Sequence, residues 1–312
     1  MGLLVDGEWR DTWYRPDSEG RFVRPETVFR GAVGGDDHPA VAGRYHLYVS
    51  WACPWAHRTL IGRALYGLED VLGFTSVSPF MTDQGWHFGG ADGSPVEPLF
   101  GASHLRDIYR RADARYTGRV TVPVLWDKHV GTIVNNESKE ILRMLGTSFA
   151  PMGNGFTLLP DDLREASDAM RERIYQPLNN GVYRAGFAAS QSAYDAAVRD
   201  VFETLDALEV VLSRSRYLCG DRPTEADVCA FTTLFRFDAV YHGHFKCNRR
   251  RIVDYPNLWG FVRDIYQTPG VAETCRMDQI TEHYYRSHES INPTRIVPIG
   301  PDLDFDAPHG RG

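Results

Sequence analysis

One stretch constrains the fold of this chain more than any other: Tyr45 to Leu65, with the sequence YHLYVSWACPWAHRTLIGRAL. Its first half predicts a short buried strand, because apolar residues alternate with others up to Ser50. Its second half predicts a helix that begins at Pro54, since proline is tolerated at the first helical position. Cys53 therefore lies at the joint, facing the unpaired N–H groups of a helix N-terminus.

The position of Cys53 predicts a reactive thiolate. A cysteine at a helix N-terminus has its pKa lowered from about 8.5 into the range of roughly 3.5–7.5. A thioredoxin-like redox motif would have a second cysteine at position 56, where this chain has Ala56. A mixed disulfide on Cys53 must then be resolved by a thiol from outside. The alternative is a buried structural cysteine, which the position alone does not exclude.

Length and composition limit what the chain can be. It has 312 residues, of which 43% are apolar, and this is enough for about two domains with separate cores. A net charge of −7 offers no basic face to nucleic acid or to a membrane surface, and no stretch approaches the roughly 18 apolar residues of a membrane span. Five cysteines without framework spacing favour a soluble, cytoplasmic protein.

The segments around the Cys53 stretch predict a thioredoxin-like half. Residues 1–44 are expected to form an extended arm laid over the folded body. A second strand at 71–77 gives the order strand, helix, strand, which predicts a parallel pair. A long polar loop at 79–103 carries Trp86 and is expected to pack onto something, and a helix is expected at 105–116.

Two further features of this half predict a peptide-binding edge and a polar helix terminus. A cis Val122-Pro123 bond would leave the backbone groups of Val122 available to an extended peptide, but only about 5–6% of X-Pro bonds are cis. Ser138 precedes a helix at 139–145, so its neighbouring N–H groups can bind an anion while Glu137 accepts an ammonium group. Helix capping alone also explains a serine there.

Beyond a linker the chain becomes helical. Helices are expected at 193–214 and 258–268, and Thr224 with Asp227 forms a capping box. The predicted organisation has five parts: an extended arm at 1–44, a thioredoxin-like thiol-binding domain at 45–146, a linker at 147–160, an all-helical substrate domain at 161–289, and an extended tail at 290–312.

Five motifs resemble, in the same order, those of the glutathionyl-hydroquinone reductases, the Xi class of glutathione transferases. They are WACPWAHR (51–58), GRVTVPVLWD (118–127), NNES (135–138), NNGVYRAGFA (179–188) and HYYRSH (283–288). The resemblance covers roughly residues 40–300. It implies an N-terminal thioredoxin-like domain followed by an all-helical glutathione transferase C-terminal domain, with glutathione as cosubstrate and a homodimeric state.

The resemblance also implies roles for individual residues. Cys53 corresponds to the nucleophile and Trp86 to the tryptophan that packs against glutathione. Tyr183 corresponds to a proton donor and acceptor. Tyrosines matching Tyr241 and Tyr284 are associated with lowering the pKa of the cysteine, although Tyr285 stands beside Tyr284. The residues that correspond to those holding the tripeptide are Arg119, Val120, Thr121, Val122, Glu137 and Ser138.

The implied reaction is the glutathione-dependent reduction of glutathionyl-hydroquinones through a mixed disulfide on Cys53. Two other functions stay open: an Omega-type thiol transferase or dehydroascorbate reductase, and a non-catalytic interaction module with the same fold. An arginine-rich, lysine-poor composition also leaves open a host thiol such as mycothiol. His283 and His288 lack the spacing of metal ligands, so no metal is expected.

Overall fold

A computed structural model describes residues 2–12 and 14–311 of the chain. Met1, Trp13 and Gly312, which belong to the predicted arm and tail, lie outside the described residues. The strands and α-helices are, in chain order, β1 (Leu3–Val5), β2 (Glu8–Arg10), β3 (Tyr45–Val49), α1 (Pro54–Leu65), β4 (Gly73–Ser76), α2 (Leu105–Ala112), β5 (Gly118–Arg119), β6 (Val124–Asp127), β7 (Thr132–Asn135), α3 (Ser138–Leu145), α4 (Arg164–Ile174), α5 (Gly181–Gly186), α6 (Gln191–Leu212), α7 (Glu225–Arg236), α8 (Pro256–Tyr266) and α9 (Met277–Ser287).

These elements form two compact units. The first, here called the sheet unit, contains the described residues of 1–13 together with 25–156 and 276–297. The second, the helical unit, contains 14–24, 157–275 and the described residues of 298–312. The units exchange segments along the chain, so α9 belongs to the sheet unit. The linear domain limits given above stay a prediction.

The sheet unit is built on a four-stranded sheet in the order β4-β3-β6-β7. β3 pairs in parallel with β4 and antiparallel with β6, so Leu47 faces Phe74 on one side and Leu125 on the other. The predicted strand–helix–strand unit is therefore confirmed. Helix α1 packs closely against α3, because a Cβ on Gly62 would lie only 2.6 Å from the Leu142 Cδ1 atom.

Strand β3 is buried along its whole length, and the long loop between β4 and α2 contributes to this. The Tyr48 hydroxyl donates to Glu97 Oε1 at 2.7 Å, and the Tyr48 ring lies 5.6 Å from that of Phe88. Glu97 is 2% exposed and also accepts bonds from the backbone N–H groups of Phe100 and Ala102. The expectation that this loop packs onto the folded body is confirmed.

Part of the arm is ordered as strands, because β1 and β2 form an antiparallel hairpin and β1 also pairs with β5. Two local predictions need correction. The helix predicted to reach residue 116 ends at Ala112, since Asp113 is extended and its carboxylate accepts a bond from Arg115 N–H. Ser138 is not a helix cap but the first helical residue of α3.

The helical unit contains α4 to α8. Helix α6 buries one stripe that includes Val201, Leu205 and Leu208, as its periodicity predicts. The capping box at the start of α7 is present, because Asp227 accepts bonds from the backbone N–H and the hydroxyl of Thr224, both at 2.8 Å. Residues 290–311 contain no helix or strand.

Candidate active site

Cys53 occupies the joint between β3 and α1, as expected from the sequence. Its backbone is extended, with φ −76° and ψ 121°, and Pro54 is the first helical residue. The side chain is partly exposed, and its Sγ atom lies 3.7 Å from the carbonyl oxygen of Val122. The thiol is thus held at the α1 N-terminus, against the peptide segment that precedes Pro123.

The segment before Pro123 has a defined shape. The Val122-Pro123 peptide bond is cis. The Tyr109 hydroxyl donates to the Thr121 carbonyl oxygen at 2.8 Å and accepts from the Thr121 N–H at 3.3 Å. Asn136 Nδ2 donates to the same hydroxyl at 3.0 Å. Tyr109, which sequence reasoning missed, therefore occupies both backbone groups of Thr121, whereas the carbonyl oxygen of Val122 faces the Cys53 thiol.

Glu137 and Ser138 lie where α3 begins. Glu137 is the N-cap and its carboxylate accepts from the Lys139 N–H at 3.3 Å. Ser138 is 3% exposed, and its Oγ atom accepts from Nη1 of Arg58 at 3.4 Å. A carboxylate, a hydroxyl and the N–H groups of a helix terminus therefore meet at one place.

Trp86 is held by α9. It is 5% exposed, and its ring stacks on that of His283 with centroids 4.8 Å apart and an interplanar angle of 23°. Nδ1 of His283 lies 2.8 Å from the carbonyl oxygen of Pro79, at the start of the same loop. Tyr284 is the next residue on α9 and is 1% exposed, whereas Tyr285 is half-buried.

Tyr183 and Tyr241 belong to the helical unit, where they are neighbours. Tyr183 lies on α5, and Tyr241 ends a π-helical turn at 237–241 that follows α7. Their ring centroids are 6.0 Å apart, and each ring lies 5.4 Å from that of Phe245. The guanidinium of Arg24 stands 6.0 Å from the Tyr183 centroid. An aromatic cluster therefore surrounds both phenols.

The other thiols differ from Cys53 in environment. Burial raises the pKa of Cys247 to about 12 and that of Cys275 also to about 12. Burial also raises the pKa of Cys219, which is half-buried. Because a neutral thiol is a poor nucleophile, these three positions are unsuited to thiol exchange.

The described residues contain neither a metal-binding cluster nor a membrane-spanning helix. Within residues 2–12 and 14–311, no group of three His, Cys, Asp or Glu side chains is arranged to hold a metal ion. Every helix in the same ranges is too short or too polar to cross a membrane.

The fold and the cysteine site define a class of protein. Residues 52–148 match the family model of the glutathione S-transferase N-terminal domain, and residues 191–264 match that of the C-terminal domain. A thioredoxin-like sheet with a cysteine at the first helix, followed by a helical unit, is thus the arrangement of a glutathione transferase.

Relatives that match the chain along its length narrow this class. The glutathionyl-hydroquinone reductase YqjG of Escherichia coli is 51% identical, over 100% of this chain and 98% of the relative. The glutathionyl-hydroquinone reductase PcpF of Sphingobium chlorophenolicum is 50% identical, over 96% of each. The chain belongs to the glutathionyl-hydroquinone reductase family, the Xi class of glutathione transferases.

Solved structures agree with this family. A Xi class glutathione transferase from Natrialba magadii has a TM-score of 0.94 at 51% identity, with 100% of this chain and 96% of that chain covered. The glutathione-bound structure of the Escherichia coli YqjG protein has a TM-score of 0.90 at 48% identity, with 99% of each chain covered.

Proposed function

We propose that this protein is an enzyme that reduces glutathionyl-hydroquinones to hydroquinones with glutathione. The proposal rests on one observation above all: Cys53 is partly exposed at the α1 N-terminus, 3.7 Å from the Val122 carbonyl oxygen. Two relatives of about half identity over the whole chain carry that activity in their names, and one of them has been solved with glutathione bound.

The first step transfers the glutathionyl group from the conjugate to Cys53. The Cys53 thiolate attacks the sulfur of glutathione on the hydroquinone ring, so an S–S bond forms as the C–S bond breaks. The electron pair of the broken bond goes to the ring carbon, which takes up a proton. The products are the free hydroquinone and a Cys53–glutathione disulfide, and the ring has gained two electrons.

The second step regenerates the thiolate. A second glutathione, as its thiolate, attacks the glutathione sulfur of the mixed disulfide, and the Cys53 sulfur leaves with its electron pair. Oxidised glutathione is released. An external thiol is required because position 56 is alanine and none of the five cysteines forms a disulfide in the described part of the chain.

The tyrosines are assigned to proton and charge control. A carbanion is a poor leaving group, and a phenol with a pKa near 10 can protonate it as the C–S bond breaks. Tyr183 is the proposed acid, with general acid assistance typically worth about 10²–10⁴-fold in rate. Tyr241 and Tyr284 are proposed to favour the Cys53 thiolate by O–H donation, which lowers its pKa.

Glutathione itself is proposed to bind along the sheet unit. Its backbone would pair with Val122 beside the thiol, and its γ-glutamyl end would meet Glu137 and Ser138. Trp86 would pack against the tripeptide from the loop. The full set of proposed binding residues is Trp86, Arg119, Val120, Thr121, Val122, Glu137 and Ser138.

Intact mass spectrometry of the full chain tests the central step. Incubation with a glutathionyl-hydroquinone in substoichiometric amount should give one glutathione adduct, which a reductant removes, and hydroquinone should appear in equal amount. Cys53→Ser should form no adduct and lose turnover, whereas Cys219→Ser, a matched half-buried cysteine, should behave as the native protein. Turnover that survives Cys53→Ser would overturn the proposal.

The alternative within enzymes is an Omega-type thiol transferase or dehydroascorbate reductase, which needs no ring protonation and therefore no Tyr183. A non-catalytic module with the same fold would need neither Cys53 nor Tyr183. Retention of both residues in one chain favours the reductase.

We also propose a homodimer in the cytoplasm. The dimeric state is carried over from the family resemblance, and light scattering coupled to size exclusion measures it directly. The cytoplasmic location is supported by the sequence, because the five cysteines are an odd number and lack the spacing of a disulfide framework.

A further inference from the structure

Arg58 is a charged side chain of the sheet unit that the proposed mechanism does not use. It is the fifth residue of α1 and is 2% exposed. Its guanidinium carbon lies 4.5 Å from the ring centroid of Trp55. Nη1 donates to Ser138 Oγ at 3.4 Å, while Nε is buried and has no hydrogen-bond partner among the described residues. The guanidinium thus points at the N-terminus of α3.

The charges around Arg58 do not balance. Buried arginines are normally paired with a carboxylate, because an uncompensated charge in the interior is costly. Within residues 2–12 and 14–311, no carboxylate forms an ion pair with Arg58. The adjacent α3 terminus adds partial positive charge. The neighbouring acid, Glu137, is directed to the Lys139 N–H instead.

A bound anionic ligand would supply the negative charge that Arg58 lacks. This inference depends on the proposed function. We propose that Arg58 is a positioning residue for the α-carboxylate of the γ-glutamyl residue of glutathione. Because Ser138 Oγ accepts from Arg58, the hydroxyl proton is directed away and can be donated to that carboxylate. The bound carboxylate would lie within about 6 Å of the guanidinium, close enough for direct attraction in a water-poor site.

This arrangement would distinguish the two ends of the tripeptide. The pair Glu137 and Ser138 offers an acceptor for the ammonium and a donor for the carboxylate, both on one α-carbon. Arg58 would supply the net charge that makes this place selective for a zwitterion over a simple amine. Arg58 should therefore add no binding affinity for a thiol that lacks the γ-glutamyl α-carboxylate.

Calorimetric titration of the reduced full-length protein tests the inference with two ligands. One is glutathione, and the other is γ-aminobutyryl-cysteinylglycine, which keeps the ammonium but lacks the α-carboxylate. Arg58→Met should raise the Kd for glutathione by about tenfold or more, as expected for loss of a charge-assisted contact. The Kd for the analogue should stay the same. The Kd of Arg58→Lys for glutathione should lie between those of the native protein and Arg58→Met, because lysine keeps the charge but not the planar guanidinium.

Two controls separate this role from a structural one. Arg63 lies on the same helix and donates to the Leu72 and Glu69 carbonyl oxygens, so Arg63→Met perturbs α1 without facing Ser138. It should leave the ratio of the two Kd values unchanged. In a Ser138→Ala background, Arg58→Met should cost less glutathione affinity than it does alone, because the two residues act together.

In steady-state kinetics, Arg58→Met should raise the KM for glutathione and leave kcat at saturation nearly unchanged. Arg58 variants that weaken both ligands equally would overturn the inference and leave the proposed reductase intact. Native protein that binds neither ligand would overturn the proposed function as well.

Discussion

The rings of Trp86 and His283 stack with their centroids 4.8 Å apart and 23° between their planes. One residue belongs to the loop between β4 and α2, and the other to α9. The Ser287 hydroxyl, one turn further along α9, accepts from the Met81 N–H at 3.0 Å. Residues four apart share one face of a helix, so this face of α9 holds the loop at two places.

We expect His283→Ala to raise the KM for glutathione severalfold with a smaller effect on kcat, because Trp86 would lose the surface on which it is held. His283→Phe keeps the stacked ring but not the contact with the Pro79 carbonyl, so its KM for glutathione should lie between those of the native protein and His283→Ala. Initial rates at varied glutathione measure this. His129→Ala, at an exposed turn, should match the native protein. An unchanged KM in His283→Ala would contradict the prediction.

Cys53 should be alkylated by iodoacetamide at a rate that follows a pKa below 8.5, because the α1 N-terminus favours the anion. Burial raises the pKa of Cys247 and Cys275 to about 12, so these thiols should stay unmodified on the same timescale. Peptide mapping after brief exposure, repeated between pH 5 and pH 9, measures both. A Cys53 titration near pH 8.5 would instead favour the non-catalytic module.

Tyr183→Phe should reduce hydroquinone release by about 10²–10⁴-fold, because the ring carbon loses its proton donor. Reduction of a simple mixed disulfide with glutathione needs no such acid and should continue. Tyr194→Phe is the matched control in the same unit, since its hydroxyl already donates to the Lys246 carbonyl oxygen at 2.6 Å. Equal loss of both activities in Tyr183→Phe would show that Tyr183 has no specific role in ring protonation.

Asp127 should be a main support of the sheet unit at neutral pH. It is fully buried and accepts from Arg44 Nε at 3.0 Å, with His38 Nδ1 2.8 Å away. Although burial favours the neutral acid, these hydrogen bonds hold the pKa of Asp127 below its usual range. Asp127→Asn should lower the free energy of unfolding by about 3 kcal/mol at pH 7, because Arg44 loses its charge partner. Urea titration measures the loss.

The pH dependence of this loss has a definite sign. A carboxyl whose pKa is lower in the folded than in the unfolded state makes its full contribution to the free energy of unfolding above about pH 4. That contribution is lost as the pH falls. The stability difference between the native protein and Asp127→Asn should therefore shrink on acidification. Asp161→Asn, in an exposed ion pair with Arg164, should show no measurable loss at any pH. A constant difference for Asp127→Asn would contradict the assignment.

Local features were determined by the sequence because they depend on neighbours along the chain. The start of α1 follows from Pro54, the capping box at α7 from Thr224 and Asp227, and the parallel β3–β4 pair from the order of strand and helix. The same locality explains the error at α2. Nothing in the apolar pattern up to Tyr116 signals the extended backbone at Asp113.

The site depends on contacts that only the tertiary structure decided. Trp86 meets His283, Tyr109 holds the backbone of Thr121, and Arg58 reaches Ser138, although each pair combines residues from separate elements. Periodicity reports which face of an element is buried, not what covers it. The partner of a buried ring, hydroxyl or guanidinium is set when the elements pack against each other. For that reason the surroundings of Cys53 depend on the tertiary structure.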